Sequence, residues 1–478
     1  MNVAVPKLTV EFDLPVVMRD GVTLRANVYR PDGAGPWPTL LGRTPYGKDV
    51  HSAIHWFDPV QATRRGFMVV VQDTRGRFAS RGEFDPFKAE RQDGYDSVEW
   101  AARLAGSNGR VGMLGSGYWG NAQWLAAIER PPSLAAIAPG FTCSDPLDGL
   151  FGRGGADELG LAGHWSLDGR TPTHADLVGW ASVAGHHDQV EVPSLNIGSW
   201  YDIFLQGTLD NYEAMVARGK ETRLIVGPWA QPTCDADDLW LAFLGNHLAP
   251  ETAVELPAAP VRIFVMGRDE WRDEPAWPLE RAVPERWFLA GGGRLTPEQD
   301  AAEDGASELA YDPADPAPTV GGLTVMSVGC PAGPFDQARV EARDDVLVFT
   351  SEPLEEELEV TGRVRVVLHA ESSAPSTDWV ARLCDVHPDG RSINLCDGIL
   401  RVAEGADAVR RHEIDLWSTS NAFLPGHRLR VHVTSSSFPR WDPNLNTGDQ
   451  RMSAHQVARQ RIHHSANRSS YIELPVVR

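Results

Sequence analysis

The chain has 478 residues, of which 42% are hydrophobic, and its formal net charge at pH 7 is −21. A chain of this length is expected to bury a large core and to divide into two or three domains. The strong negative charge argues against nucleic acid and anionic membranes as partners, because phosphate-binding surfaces need clusters of lysine and arginine. We therefore expect a globular protein that binds a small-molecule substrate.

The N-terminal residues and the cysteines indicate the cellular compartment in which the protein is expected. Residues 1–12 contain no charged segment followed by an apolar one, and the sequence has no run of 18 apolar residues. The five cysteines are widely spaced and form no C-x-x-C pair, which indicates free thiols in a reducing compartment rather than disulfides. The sequence thus predicts a cytoplasmic protein, with a homodimer as an open alternative to a monomer.

The first 250 residues alternate apolar, strand-like runs with amphipathic stretches. The predicted strands, in chain order, are TLLGRTPY, FMVVVQDTR, GRVGMLG, SLNIGSWYD and TRLIVGPW. Buried strands that alternate with helices indicate a parallel sheet covered by helices on both faces. Between residues 145 and 192 no strand run is apparent, so an insertion interrupts the alternation there.

The segment VGMLGSGYWG, residues 111–120, has the pattern of a sharp strand–turn–helix connection. An apolar strand ends at Leu114, a glycine-flanked turn follows, and NAQWLAAI has the apolar spacing of a helix. In an α/β-hydrolase the G-x-S-x-G turn exposes a nucleophilic serine at this point. Here the position two after Gly115 is Gly117, and Ser116 falls one residue too early to face the site. The motif indicates a nucleophile elbow that lacks its nucleophile.

From about Pro260 the pattern changes to short alternating strands separated by turn residues. Examples are VRIFVMG, RVRVVLHA, WVARLCDVHPDG and RLRVHVTSSS. Such a succession is typical of an all-β sandwich, and we predict a jelly roll. The predicted fold class is therefore α/β, with an α/β-hydrolase domain at 1–144 and 193–255, a helical cap inserted at 145–192, and a C-terminal jelly-roll β-sandwich at 256–478.

Several motifs, taken in their order, resemble a known family. RTPYGK, VVVQDTRGRFASRGEF, VGMLGSGYWGNAQW, GSWYDIF, RLIVGPW and LPGHRLRVHVTSSSFPRWDPNLNTG resemble the cocaine esterase-like hydrolases of the Xaa-Pro dipeptidyl-peptidase (S15-type) family. The chain is also similar to the α-amino acid ester hydrolases. The resemblance extends from Phe12 to the end of the chain, and it implies the same three parts, with a cap shorter than is usual in the esterases.

The resemblance assigns the catalytic positions residue by residue. The family's serine falls at Gly117, its acid at Asp202 and its histidine at Gln231, so that the acid alone is present. Serine attack needs a base within hydrogen-bond reach, and glutamine is not a base near neutral pH. Loss of nucleophile or base costs on the order of 10⁶ in kcat in a serine protease. Hydrolysis by a Ser-His-Asp triad is therefore not expected.

The resemblance also implies an oxyanion hole. The family forms it from a tyrosine hydroxyl in the R-x-P-Y motif, here Tyr46, and from the backbone N–H after the nucleophile, here that of Tyr118. One such donor contributes about 3–4 kcal/mol against developing negative charge. Asp202 could then serve as a general base, or it could be a structural carboxylate bound to Gln231 or to backbone amides.

The histidines after the Tyr46 loop are candidates for a substitute acid or base. His51 and His55 are four residues apart and would share one face of a helix, and His55 is the preferred candidate. The alternative is that both are ordinary, partly exposed histidines. The H-x-x-x-H spacing lacks the glutamate of HExxH and has no third ligand, so no metal is predicted.

Aromatic residues are frequent in the motifs that face the predicted site. Trp165 in the cap and Phe204 after Asp202 are the preferred substrate contacts. Trp119 and Met326 are weaker candidates, because such residues often only pack behind a motif. A mostly apolar, aromatic pocket suits a hydrophobic small molecule. The sequence has no Walker A or dinucleotide-binding motif, and no cofactor is predicted.

Three classes of function stay open. The first is a repurposed enzyme, a lyase, cyclase or isomerase of specialised metabolism, which acts on a hydrophobic carbonyl compound through the Tyr46 oxyanion hole. The second is an ester or amide hydrolase with an unrecognised nucleophile, and the third is a catalytically dead binding protein. Retention of Tyr46 and Asp202 favours the first class, because a scaffold needs no oxyanion donor; the recruitment itself is an analogy between folds.

Overall fold

The computed structural model describes residues 7–50, 57–164, 179–230, 237–299, 305–324, 331–403, 408–449 and 454–478. Its strands are β1 (Leu8–Val17), β2 (Thr23–Pro31), β3 (Trp37–Thr44), β4 (Met68–Asp73), β5 (Ser107–Ser116), β6 (Leu134–Gly140), β7 (Gly152–Arg153), β8 (Ala156–Asp157), β9 (Ser194–Ser199), β10 (Thr222–Gly227), β11 (Val261–Val265), β12 (Glu270–Glu274), β13 (Ala282–Ala290), β14 (Arg294–Thr296), β15 (Ala306–Tyr311), β16 (Leu347–Thr350), β17 (Leu358–Ser372), β18 (Thr377–Val386), β19 (Ser392–Val402), β20 (Arg410–Phe423), β21 (Arg428–Thr434), β22 (Ala458–Ser465), β23 (Arg468–Ser469) and β24 (Tyr471–Val477). The α-helices are α1 (Pro59–Arg64), α2 (Glu90–Ala102), α3 (Tyr118–Ile128), α4 (Leu159–His164), α5 (Leu205–Val216), α6 (Asp237–Leu248) and α7 (Ala338–Glu341).

The first sheet has ten strands in the order β1-β2-β4-β3-β5-β6-β9-β10-β11-β12. Neighbours from β4 to β11 are parallel, whereas the pairs β1–β2, β2–β4 and β11–β12 are antiparallel. Strands β4 and β9 are buried along their whole length, as is typical of parallel strands covered on both faces. The predicted α/β-hydrolase domain is confirmed, and its five predicted strands are all present.

Helices cover both faces of this sheet. Successive residues of a strand point to opposite faces, and in β3 Leu41 joins one apolar cluster while Leu40 joins another. Helices α2 and α3 contribute Val98 and Trp124 to the first cluster, and α6 contributes Phe243 to the second. No described helix is both long enough and apolar enough to cross a membrane.

The first sheet continues past the predicted domain boundary. VRIFVMG was predicted to begin the β-sandwich at 256–478, but it forms β11, which pairs in parallel with β10. Strand β12 then pairs with β11, so the hydrolase sheet extends to Glu274. The assignment of this strand to the sandwich was wrong because β11 lies next to the edge of the sheet, where its residues alternate between buried and half-buried. That alternation is also the signature of a sandwich strand.

The second sheet forms the C-terminal β-sandwich. It has twelve strands in the order β15-β22-β17-β24-β13-β14-β16-β21-β18-β19, with β20 paired to β17 and β23 to β22. The pairs are antiparallel except for β14 and β16. Strand β17 alternates buried and exposed residues, and its Val364, Val366 and Leu368 enter a core shared with Leu429 and Val431 of β21. This confirms the predicted C-terminal β-sandwich domain.

The inserted segment 145–192 is described in its first and last parts. It contains the short helix α4, in agreement with a helical cap, and also the hairpin of β7 and β8. The hairpin was not predicted because each of its strands is only two residues long.

The hairpin packs against the β-sandwich. The Arg401 N–H donates to the Gly154 carbonyl at 2.7 Å, and a Cβ on Gly154 would lie 1.9 Å from the Ile399 carbonyl oxygen. Nearby, the buried carboxylate of Glu158 pairs with the buried guanidinium of Arg440 at 3.2 Å. The segment therefore connects the hydrolase domain to the β-sandwich.

Candidate active site

The turn between β5 and α3 has a strained backbone at Gly117. Its φ is 62° and its ψ is −124°, a combination that only glycine adopts without a cost of about 1–3 kcal/mol. The Gly117 N–H donates to the Gly140 carbonyl, and its own carbonyl accepts the Asn121 N–H, each at 2.9 Å. A Cβ built on Gly117 has no atom within 4 Å. The turn thus keeps the elbow conformation and leaves room for a side chain that the chain does not have.

The neighbours of Gly117 face the core. Ser116 is 3% exposed, and its Oγ lies 2.7 Å from the position that a Cβ on Gly140 would take. Its hydroxyl is directed into the packing behind the turn, as expected. Trp119 is 2% exposed and fits over Gly42 and Gly115, where an added Cβ would lie 2.3 and 2.7 Å from it. This packing favours the alternative that Trp119 only supports the turn, and its contact with substrate stays a prediction.

A buried polar network holds the first residue of α3. The Tyr118 hydroxyl donates to Glu90 Oε1 at 3.0 Å and accepts the Phe87 N–H at 3.1 Å, while the rings of Tyr118 and Phe87 stack at 4.4 Å. Glu90 also forms a buried ion pair with Arg43. Burial raises the pKa of Glu90, with the Arg43 charge opposing the shift, and burial raises the pKa of Tyr118 well above its ordinary value. Tyr118 therefore stays a neutral phenol that can donate.

This network was not predicted from the sequence. Arg43 is the arginine of the RTPY motif, and its position in β3 carries its guanidinium under the elbow to Glu90. An arginine within a buried strand needs a carboxylate partner, and that requirement was the available signal. Glu90 lies in a helix 47 residues away, so the sequence did not identify it as the partner.

The Tyr46 loop lies beside the elbow. Tyr46 follows β3, its N–H donates to Thr44 Oγ1 at 3.0 Å, and its ring meets that of Tyr118 edge-on at 6.4 Å. The loop is anchored by Lys48, whose N–H donates to Asp73 Oδ1 at 2.7 Å and whose ammonium lies 3.4 Å from the second oxygen of Asp73. The structure thus brings Tyr46 next to the N-terminus of α3.

Asp202 lies in the turn after β9 and is fully buried. Its Oδ1 accepts the Phe204 N–H at 2.7 Å, which orients the carboxylate at the start of α5. The half-buried Phe204 packs against the same two apolar clusters as Tyr46. Tyr46, Gly117 and Asp202 follow strands β3, β5 and β9 of one parallel sheet, and the carboxyl ends of such strands meet at one edge, where α/β enzymes bind ligands.

Four predicted site residues, His55, Trp165, Gln231 and Met326, lie outside the described residues. The chain that leads to Gln231 leaves β10 beside the Asp202 turn. The Trp200 N–H donates to the Gly227 carbonyl at 2.9 Å, and the Ser199 hydroxyl bonds to the Trp229 carbonyl. The roles of the four residues stay predictions.

Two family models match the chain. The X-Pro dipeptidyl-peptidase (S15 family) model matches residues 20–177, and the model of the X-Pro dipeptidyl-peptidase C-terminal non-catalytic domain matches residues 255–473. The cocaine esterase of Rhodococcus sp. (strain MB1 Bresler) is 35% identical, over 98% of this chain and 99% of the esterase. A putative serine esterase of Mycobacterium tuberculosis is 23% identical, over 97% of this chain and 94% of its own.

Two solved structures share the whole architecture. An aminopeptidase from a marine sediment Thaumarchaeota archaeon superposes with a TM-score of 0.87 at 24% identity, and an α-amino acid ester hydrolase with a TM-score of 0.83 at 24% identity. Each alignment covers 99% of this chain and 97% of the other. At this identity the likeness establishes the fold. Together with the relative that is 35% identical over nearly the full length, these findings show that the chain belongs to the cocaine esterase-like, S15-type family of α/β-hydrolases.

Proposed function

We propose that the protein polarises the carbonyl group of a hydrophobic small molecule without forming an acyl-enzyme, and that it catalyses a non-hydrolytic step such as elimination, cyclisation or isomerisation. The observation that carries this proposal is Gly117, which has the strained elbow backbone but no side chain. Covalent acyl transfer needs a nucleophile at this point. An elbow without one can still present a backbone N–H to a substrate.

The proposed chemistry uses the oxyanion donors. A substrate carbonyl would accept hydrogen bonds from the Tyr46 hydroxyl and the Tyr118 N–H, and removal of a proton next to that carbonyl would place negative charge on its oxygen. Preorganised donors stabilise such an enolate more than its neutral precursor, which lowers the barrier. Asp202 or His55 would receive the proton, and the space above Gly117 would admit the substrate. The name of the Rhodococcus relative, an esterase, supports a carbonyl compound as the substrate.

The network under the elbow supports a maintained site rather than a dead one. Arg43, Glu90 and Tyr118 form a buried, charged network that holds the first turn of α3 beside Tyr46. Burying charges is costly unless they are well paired. A network that fixes the Tyr118 N–H beside Tyr46 is what the proposed oxyanion hole requires.

The first test is hydrolysis. The wild-type protein is incubated with p-nitrophenyl esters of short and medium chain length and with a fluorophosphonate probe. We expect neither turnover above the buffer rate nor covalent labelling. Turnover or a labelled residue would overturn the proposal in favour of an esterase with a different nucleophile, the second class considered.

The second test measures the oxyanion hole directly. 4-Nitrophenolate resembles an enolate, and its absorbance reports its ionisation. Because a hydrogen bond to a charged group contributes about 1.5–3 kcal/mol, Tyr46→Phe should weaken its binding about 10- to 100-fold. Tyr95→Phe, which removes the hydroxyl of a tyrosine whose ring lies under the Arg19 guanidinium at 4.9 Å, is the matched control and should bind like wild type. Equal binding by wild type and Tyr46→Phe would contradict the assigned role of Tyr46.

A further inference from the structure

Three side chains of metal-ligating type lie together at one end of the β-sandwich. Asp385 is the second-last residue of β18, His387 directly follows that strand, and His427 directly precedes β21. Asp385 Oδ1 and His427 Nδ1 are 2.8 Å apart, and the centroids of the two imidazole rings are 4.6 Å apart. One ligand atom from each residue lies within 4.8 Å of the other two. The end of β18 and the turn before β21 therefore bring three ligand atoms together.

The surroundings of this triad suit a cation. Asp385 and His427 are buried, whereas His387 is half-buried and keeps the point open to solvent. Among the described residues, no lysine or arginine pairs with Asp385, and His427 is its ion-pair partner. The second carboxylate oxygen accepts the Asn421 amide at 3.4 Å. Carboxylates that bind metals are usually oriented by such outer hydrogen bonds.

A second group of the same kind lies nearby but is less suitable. Glu341, Cys384 and His432 also place ligand atoms within 4.8 Å of one another. Arg430 donates to Glu341 at 2.6 Å. Burial lowers the pKa of His432, and the positive charge of Arg382 lowers it further. The two guanidinium groups oppose another cation there, so the first group is the better candidate.

We propose that Asp385, His387 and His427 bind one divalent transition-metal ion, with Zn²⁺ the best match and water as the fourth ligand. Zn²⁺ prefers imidazole nitrogen and carboxylate oxygen at about 2.0–2.2 Å, and a tetrahedral centre with such bonds separates its donor atoms by about 3.3–3.5 Å. The separations found here, from 2.8 Å to at most 4.8 Å, bracket that value. Ion binding would require Asp385 and His427 to separate slightly from their 2.8 Å hydrogen bond and the half-buried His387 to turn toward them.

Metal binding at His427 would require a change of tautomer. An ionised carboxylate can only accept a hydrogen bond, so in the empty site His427 donates its Nδ1–H to Asp385. An ion bound at Nδ1 needs the lone pair of that nitrogen, so the imidazole stays neutral and carries its proton on Nε2.

The site lies at the junction of the two domains. Asn421, which orients Asp385, belongs to β20 and forms a backbone bridge with Met266, just after β11 of the hydrolase sheet. The Met266 N–H donates to the Ser420 carbonyl at 3.0 Å, and the Ala422 N–H donates to the Met266 carbonyl at 2.8 Å. An ion that joins the turn after β18 to the turn before β21 would stabilise the part of the β-sandwich that holds this junction. Its role would be structural and separate from the carbonyl site.

The test begins with the full chain, prepared without an affinity tag and freed of metal by chelation. Calorimetric titration with Zn²⁺ should show one tight site per chain, and bound Zn²⁺ should raise the thermal unfolding midpoint in a manner that EDTA reverses. Co²⁺ in the same site should give the visible absorption bands of a tetrahedral centre. Absence of stoichiometric Zn²⁺ binding at micromolar concentration would overturn the proposal without recourse to any variant.

Variants then locate the site. His387→Ala changes a half-buried turn residue, so this variant should fold. The double variant His387→Ala, His427→Ala should weaken Zn²⁺ binding more than about 100-fold. His455→Ala removes an exposed imidazole and, as the matched control, should bind like wild type. Binding that survives His387→Ala but is lost in Cys384→Ser would place the metal at the other group and overturn the assignment.

Discussion

Replacing Gly117 with serine tests both the elbow geometry and the lost chemistry. A Cβ at this position meets no atom within 4 Å, so the first side-chain atom of either serine or alanine fits without a steric clash. The remaining cost is the backbone strain of a non-glycine residue at φ 62° and ψ −124°, about 1–3 kcal/mol. We therefore expect Gly117→Ser to lower the free energy of unfolding by that amount, and Gly117→Ala to lower it equally.

The serine needs a base before it can react. Gln231→His places a histidine at the position that the family resemblance assigns to one. In a serine protease the loss of nucleophile or base costs on the order of 10⁶ in kcat, or roughly 8 kcal/mol of barrier. The double variant Gly117→Ser, Gln231→His should recover part of that factor, and each single variant should recover little.

The assay is fluorophosphonate labelling, with the modified residue located by mass spectrometry, together with hydrolysis of p-nitrophenyl butyrate. The control is Gly117→Ala combined with Gln231→His, which has the same strain and base but no hydroxyl. A double variant that folds with the expected loss of stability but is neither labelled at residue 117 nor active would refute the inferred arrangement of Tyr46 and Asp202. A stability loss well above 3 kcal/mol would show that the space at Gly117 is not as described.

Three further predictions concern buried groups outside the site. Arg440→Met should reduce the free energy of unfolding by about 3–5 kcal/mol, measured by chemical denaturation, because it leaves the buried carboxylate of Glu158, at 3.2 Å, without its ion-pair partner. Asp397, at 2.7 Å from Arg440, keeps Arg382 and Arg153 as partners, and a loss below about 1 kcal/mol would contradict the prediction. Burial raises the pKa of Cys143 to about 12. At about pH 8, iodoacetamide should therefore leave Cys143 unmodified in the native protein and modify it only after denaturation. Peptide mass spectrometry measures this modification. Burial raises the pKa of Glu213, and a neighbouring carboxylate raises it further. The folded state therefore holds this proton more tightly than the unfolded state does. The resulting stabilisation is complete below the pKa of the unfolded state and is lost as pH rises through the pKa of the folded state. Denaturant midpoints between about pH 4 and pH 7 should accordingly fall less steeply in Glu213→Gln than in wild type.

The strands that could be predicted from the sequence are those with a continuous apolar run of their own. MVVVQD in β4 and SLNIGS in β9 are buried throughout, and their apolar runs identified them. LAAIAPG in β6 was missed because alanine, glycine and proline have no strand preference, and its place between β5 and β9 is set by burial alone. VRIFV in β11 was recognised as a strand but assigned to the wrong sheet, since a short strand does not encode its partner.

The same distinction holds at the site. Gly117 and Asp202 belong to local motifs, and the structure gives the first the elbow backbone and the second a buried place after β9. The pairing of Glu90 with Tyr118 joins residues 28 positions apart, and His427 meets Asp385 across 42. The first contact depends on which helix covers which strand, and the second on how two turns of the sandwich meet. Neither arrangement can be read from the spacing of residues along the chain.

Gly154 determines how closely the backbone of the β7–β8 hairpin approaches that of β19. Because an added Cβ there would come within 1.9 Å of the Ile399 oxygen, the two backbones are in direct contact and no side chain fits between them. The C-terminal domain is called non-catalytic in the family model that covers it, yet it is the surface against which this part of the inserted segment is positioned. A substitution in β19 that shifts its backbone should therefore also displace the hairpin. Leu161 of the following helix α4 packs in the same apolar cluster as Tyr118. The region around the active site is thus supported partly by a domain that contributes none of the proposed reacting groups.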